Sequence, residues 1–292
     1  MIKKILPLSA VVGLSLTACN ERIHSVDQEP KTAQVSVHLS GFRIAMEDQP
    51  STRAMQDVKT YEGVGAITLA FYSGTTEVYK ETQIRGEATS FGDFSCTLPL
   101  GTYTVVALGY QYNANDVFTL TSPTQAAFTS ERPRETFAAT DDITLDNTDG
   151  YELQLELDRI SARLNIISTD GRSANATKIR TTFSAGGKSF NPTTGLALSN
   201  SGFSQVNNPS KGAGIAINVT CFTFLSTDEQ TMDITLETLD NDDNVISTRT
   251  IEDVPFKRNR STILTGPLYT SQLETSSFQL ETAWLPEETV TF

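Results

Sequence analysis

From Tyr151 to Leu157 the chain alternates without a break: Leu153, Leu155 and Leu157 share one parity, and Glu152, Gln154 and Glu156 share the other. A period of two puts successive side chains on opposite faces of a strand. A helix, with its period of 3.6, would scatter these leucines around its circumference. The same short period, or a run of β-branched and aromatic residues, recurs over 34–44, 66–72, 77–85, 102–110, 162–168, 178–183, 215–224, 233–239, 245–251 and 261–269. Gly, Asn, Asp and Pro punctuate the gaps, as in 113–116, 146–150 and 240–244, where turn chemistry is needed. No segment sustains an amphipathic helical pattern. Many short strands at regular spacing predict an all-β chain built of antiparallel β-sandwiches.

The chain has 292 residues. It opens MIKKILPLSAVVGLSLTAC, a basic start at Lys3 and Lys4 followed by an apolar run from Ile5 to Leu16. That run is too short to span a bilayer as a helix and has the shape of a signal peptide. Leu16-Thr17-Ala18-Cys19 resembles the lipobox of bacterial lipoproteins. The resemblance implies that residues 1–18 are removed and that Cys19 becomes the acylated first residue, holding the protein to a membrane by lipid. Residues 19–32 are polar and aperiodic and read as a flexible tether. The remainder fits two domains of about 130 residues, each long enough to bury its own core. The boundary is expected near Asp158. Asp158-Arg159-Ile160-Ser161 joins two strand-like runs without Gly or Pro, a continuous crossing from one sandwich, 33–157, to the next, 158–292.

The formal net charge is −13, and loss of Lys3 and Lys4 with the signal takes it to −15. Such a chain repels phosphate backbones, so nucleic acid is not an expected partner. Beyond the signal no apolar run is long enough for a helical membrane span. With Cys19 assigned to lipid, Cys96 and Cys221 remain, read as two buried small hydrophobes or, outside the cytosol, a disulfide. The two histidines, His24 and His38, have no nucleophile nearby in sequence, and no G-x-S-x-G, HExxH, phosphate-loop or dinucleotide pattern occurs. An enzyme is not expected, nor a cofactor or metal. The acidic turns at 146–150 and 240–244 admit calcium through hard oxygen ligands, or serve as plain hairpin turns. Lys257-Arg258-Asn259-Arg260 reads as a solvated edge that deters wrong pairing, or as a basic patch for an acidic partner.

Four segments carry a family resemblance. Leu98-Pro99-Leu100-Gly101-Thr102-Tyr103-Thr104-Val105-Val106-Ala107 resembles the LPxGxYTvvA strand of the fimbrillin superfamily of Bacteroidetes, and residues 65–74 (GAITLAFYSG) are similar to its early strand and turn. Residues 157–164 (LDRISARL) resemble its domain-crossing segment, and residues 254–266 (VPFKRNRSTILTG) its VPxKRNxRTxxxG segment. The four occur in the family's order. The resemblance implies two tandem transthyretin-like sandwiches in a type V pilus protein: stalk subunit, anchor or tip. Such a protein would be exported as a lipoprotein to the outer membrane or fimbria, support adhesion, and join other pilus subunits by strand exchange.

Two segments suit that exchange. Residues 34–44 (QVSVHLSGFRI) place Val35, Val37 and Leu39 on one face, and the polar stretch 47–63 that follows holds Arg53-Ala54. The resemblance implies that an Arg-specific protease cuts such a bond in a loop, the preceding strand leaves, and a groove opens. Arg43, within the strand, is a weaker candidate, and anchor or tip relatives need no cut. The C-terminal tail places Phe278, Leu280, Thr282 and Trp284 on one face and resumes with Val290 and Phe292. It reads as a donor strand for subunit contact or as a last strand folded on its own domain. The alternative to a pilus role is a surface lipoprotein whose sandwich binds carbohydrate, with Tyr110 and Tyr112 as the candidate aromatic platform.

Overall fold

A computed structural model describes residues 30–45, 53–209, 212–270 and 279–282. The signal and tether calls, with Cys19, lie outside them. The first half comprises β1 (Thr32–Ala45), β2 (Arg53–Gln56), β3 (Ala66–Ser73), β4 (Thr76–Ile84), β5 (Asp93–Pro99), β6 (Gly101–Tyr110), β7 (Phe118–Ser122), β8 (Gln125–Phe128), β9 (Thr136–Leu145) and β10 (Tyr151–Arg159). The second comprises β11 (Ala162–Ser168), β12 (Lys178–Phe183), β13 (Ser189–Asn191), β14 (Leu196–Ala197), β15 (Phe203–Asn207), β16 (Asn218–Thr223), β17 (Glu229–Leu239), β18 (Val245–Lys257), β19 (Ser261–Gly266) and β20 (Gln279–Thr282). The described residues contain no helix, as the period of two requires.

One layout appears twice. In the first half one sheet, ordered β2-β1-β10-β9-β6-β3-β4 with β5 on β1, folds over its short β10–β9 contact so that β5-β1-β10 and β4-β3-β6-β9 enclose a common core, and in the second β16-β11-β19 and β15-β12-β17-β18 do so in the same order. Each half encloses its own apolar cluster. Val35, Val37, Ile67, Phe71, Val105 and Leu157 are among the residues of the first; Leu164, Ile179, Val219, Leu236, Phe256 and Leu264 are among those of the second. The antiparallel expectation holds for most pairs, but β1 runs parallel to β10 and β11 runs parallel to β19. These partners share a layer yet are connected through strands of the opposite layer, so no hairpin dictates their direction.

Strand β3 shows why some runs lack alternation. Ala66 to Tyr72 are all buried. Ile67, Leu69 and Phe71 enter the first cluster, whereas Ala66, Ala70 and Tyr72 enter a third one on the opposite face. A strand covered on both faces has no polar parity. The third cluster lies under a small sheet, β14-β13-β8-β7, whose strands come from both halves, with Phe190 of β13 in register with Ala126 of β8. Tyr110 stacks on Phe118 at 4.2 Å, and Phe190 meets Phe224 at 4.5 Å. Residues 31–292 thereby form one compact unit, with only Ile160 and Ser161, both buried, between β10 and β11.

Candidate functional site

Strand β1 lies inside a layer, not at its margin. Its first half pairs antiparallel with β5, its last four residues pair antiparallel with β2, and its other edge pairs with β10. Val35 and Val37 are fully buried and Leu39 nearly so. Ser40 is an extra residue: Leu39 faces Leu155, and Gly41 already faces Glu156. The bulge changes the parity, so Phe42 falls on the same inward face as Leu39. Phe42 is fully buried against Phe137, ring centroids 4.9 Å apart. Gly41 is required there, because a Cβ would come within 2.9 Å of the Gln56 carbonyl oxygen. On the outer face His38 Nδ1 lies 3.0 Å from Asp93 Oδ1 across the β1–β5 ladder.

The Arg53-Ala54 bond begins β2, a four-residue strand at the end of the sheet order. Arg53 is in register with Ala45 and Ala54 with Ile44, so the bond sits in a short ladder and not in an open loop. Residues 46–52 lie outside the described residues. Arg43 lies 3.3 Å from Asp158 and 3.5 Å from Glu156, across the β1–β10 pair.

Behind the end of β1 lies a buried polar network that connects two of the resemblance segments. Arg159 is 4% exposed. Its Nη1 donates to Glu135 Oε1 at 3.1 Å, its Nε to Asn259 Oδ1 at 3.0 Å, and its Nη2 to the Asn259 carbonyl at 3.0 Å. Glu135 also accepts from the Tyr61 hydroxyl at 3.0 Å. Burial, followed by the adjacent Glu135 carboxylate, pushes the Tyr61 phenol well above its usual pKa, so it remains a donor. Asn259 sits at φ 62°, the left-handed region an asparagine tolerates, and its Nδ2 donates to the Arg43 carbonyl at 3.3 Å. The ends of β1, β9 and β10, the stretch after β2 and the turn after β18 therefore meet at Arg159.

This corrects the basic-patch reading of residues 257–260. Asn259 and Arg260 are buried, Arg258 bonds Asp228 at 2.7 Å and the Thr194 carbonyl at 2.8 Å, and Lys257 pairs with Glu229. The run is not a free basic patch: Lys257 and Arg258 stay partly exposed in ion pairs with Glu229 and Asp228, and the uncharged Asn259 ties the turn to Arg159 and to the Arg43 carbonyl.

The tail also has an observed root. Asp170 accepts the backbone N–H groups of Leu268, Tyr269 and Thr270, each at 2.8 Å. Burial opposes its ionisation, but these three bonds outweigh that and hold its carboxyl below the usual range. Further on, β20 pairs antiparallel with β19 at the margin of its layer, Leu280 in register with Leu264. Phe278, Trp284, Val290 and Phe292 lie outside the described residues.

Other candidates resolve simply. Tyr110 is buried against Phe118, with its hydroxyl 3.2 Å from that of Thr68, so it cannot offer a face to a sugar; Tyr112 alone is exposed. Cys96 and Cys221 are free and buried, and burial pushes the Cys96 thiol up to about 11. In the turn at 240–244, Asp240 spends its oxygens on the Asp242 and Asn244 backbone and the Asn244 amide, which makes it a self-satisfied hairpin turn.

The fold is similar to that of solved structures from Bacteroidetes that are each described as a "putative adhesin". A "putative adhesin" from Bacteroides ovatus matches with TM-score 0.50 at 13% identity, covering 82% of this chain and 88% of that one. A second "putative adhesin" from Bacteroides ovatus matches with TM-score 0.50 at 10% identity, covering 89% and 95%. The fimbrial anchor protein Mfa2 from Porphyromonas gingivalis matches with TM-score 0.49 at 12% identity, covering 86% and 96%. By sequence, the chain belongs to the family described as "Family of unknown function (DUF6562)", matched over residues 30–281. No curated protein matches.

Proposed function

We propose that this chain is a structural protein of a type V fimbria (stalk subunit, anchor or tip) that supports adhesion and has no catalytic role. It is exported as a lipoprotein on Cys19, held at the outer membrane or fimbria, and organised as two tandem transthyretin-like sandwiches of residues 33–157 and 158–292. The repeated strand order of the two halves supports that organisation. Subunits join by β-strand exchange after an Arg-specific protease cuts between Arg53 and Ala54.

The observation that carries this reading is β1 itself. Its inward residues Val35, Val37, Leu39 and Phe42 fill the first cluster, and the proposed bond lies eight residues past Ala45. Removal of β1 would leave an apolar groove between β5 and β10 with unpaired main-chain groups on both sides, the acceptor that strand addition requires. The fold shared with the Bacteroides ovatus adhesins supports the same class.

The test is to treat the purified mature chain with an Arg-specific protease and add further subunits. The expected result is a new N-terminus at Ala54 and filaments by electron microscopy, while Arg53→Ala stays uncut and releases no β1 fragment. Fimbriae of unchanged number and length in cells that lack this chain, together with no assembly of the cut protein, would overturn the reading.

A further inference from the structure

We propose that the seam between β9 and β10 is a docking slot for a β-strand, and that its occupant is the C-terminal strand of a second copy of this chain, seated while β1 stays in place. This rests on the strand-exchange reading above and adds an acceptor that needs no cleavage. Strands β9 and β10 are consecutive and in hairpin register, but they pair only at Phe137 with Arg159 and Ala138 with Asp158. Beyond that point they diverge into opposite layers, β9 bonded to β6 and β10 to β1. Each then presents toward the other an edge that pairs with no further strand among the described residues. Between those edges Ala139, Ile143, Tyr151 and Leu153 rest on the first cluster, only partly buried.

The second half shows what such a seam takes. Its counterpart lies between β18 and β19, and there β20 occupies it, paired along Thr262–Thr265 of β19 and lying beside β18. On β19, Thr262 and Leu264 are exposed by 1% or less, whereas Tyr151 and Leu153 on β10 are only partly buried. The two seams share one strand order, and among the described residues a further strand occupies only the one between β18 and β19.

The tail is suited to reach a neighbour. Residues 271–278 lead from Thr270 to β20, a span of up to roughly 30 Å when extended. Among the described residues four register pairs hold β20 to β19. The tail's apolar parity, Phe278, Leu280 and Trp284, is the one a half-open slot accepts. Both sides are acidic: Asp141, Asp142, Glu152 and Glu156 border the seam, and Glu281, Glu287 and Glu288 lie in the tail. Association therefore strengthens with added salt, which screens like charges.

The experiment mixes full-length, uncut Leu153→Cys protein with uncut Leu280→Cys protein under mild oxidation and maps disulfides by mass spectrometry. Ile143→Cys serves as a second acceptor position should Leu153→Cys fold poorly. The expected product is a 153–280 or 143–280 linkage between copies. Its yield rises severalfold from low to moderate salt and falls at least tenfold in excess native peptide 276–286, whereas the same peptide carrying Leu280→Lys and Trp284→Lys leaves it unchanged. Linkage that forms only after the Arg53 cut, and to Cys placed at Phe94 on β5, would overturn the seam while leaving strand exchange standing. No tail-dependent linkage, cut or uncut, would overturn both.

Discussion

Arg159 shows what a single buried charge does in this molecule. Its guanidinium donates to Glu135 and to the side-chain and main-chain oxygens of Asn259, so its loss leaves a carboxylate in the interior without its counter-charge. Arg159→Met is expected to destabilise by about 3–5 kcal/mol, read from the denaturant midpoint. Adding Glu135→Leu should recover a large part of that loss, because an apolar pair leaves no charge unpaired. Asp170 supplies a pH-dependent counterpart. Its folded-state pKa is depressed, so the stability it contributes is fully present above the ordinary carboxyl value of about 3.9. That contribution fades as pH falls below this value and is gone once pH has passed the lower folded-state value. Asp170→Asn should therefore cost about 1–3 kcal/mol at neutral pH and flatten the acid limb of the stability profile, measured by thermal unfolding between pH 2 and 7.

At the scale of elements, β1 holds too firmly to leave on its own. Four inward side chains at about 1.5–3 kcal/mol each amount to roughly 6–12 kcal/mol of burial, before either ladder is counted. Protein cut at Arg53 is therefore expected to retain the fragment ending there through gel filtration, and to release it only when a competing strand is supplied. Phe42→Ala should cost about 3–5 kcal/mol and let the fragment escape from cut protein without a competitor, which mass spectrometry of the eluted species would show. The alternation of residues 34–44 was legible in advance. The Ser40 bulge was not, because nothing local distinguishes an extra residue from one more polar position. Only the fixed neighbour β10 shows that Phe42, two places past the break, resumes the inward face. The same holds for β2: Arg53–Gln56 has no strand pattern of its own and becomes a strand only because the end of β1 lies open beside it.

For the whole molecule, the third cluster is the decisive feature. The small sheet drawn from both halves, with Phe118, Phe128 and Phe190 at its centre, makes residues 31–292 a single unit. Phe190→Ala is expected to remove about 3–5 kcal/mol and to separate one cooperative calorimetric transition into two, one for each half. At the other end of the chain, Cys19→Ser should abolish lipid labelling and shift the protein from the membrane fraction to the soluble one.

The amino-acid order by itself determined that the chain is all-β and where most strands run, since a period of two and the turn residues between runs are local properties of a few consecutive positions. It also carried Arg159 and Asn259 as parts of recognisable segments, but without their chemistry. Tertiary structure alone decided that Asn259 and Arg260 are buried, that β1 and β10 run parallel, that Tyr110 belongs to a core, and that β20 lies against β19. Each of these depends on which groups distant in the chain come to lie within a few ångströms, and local periodicity holds no record of that.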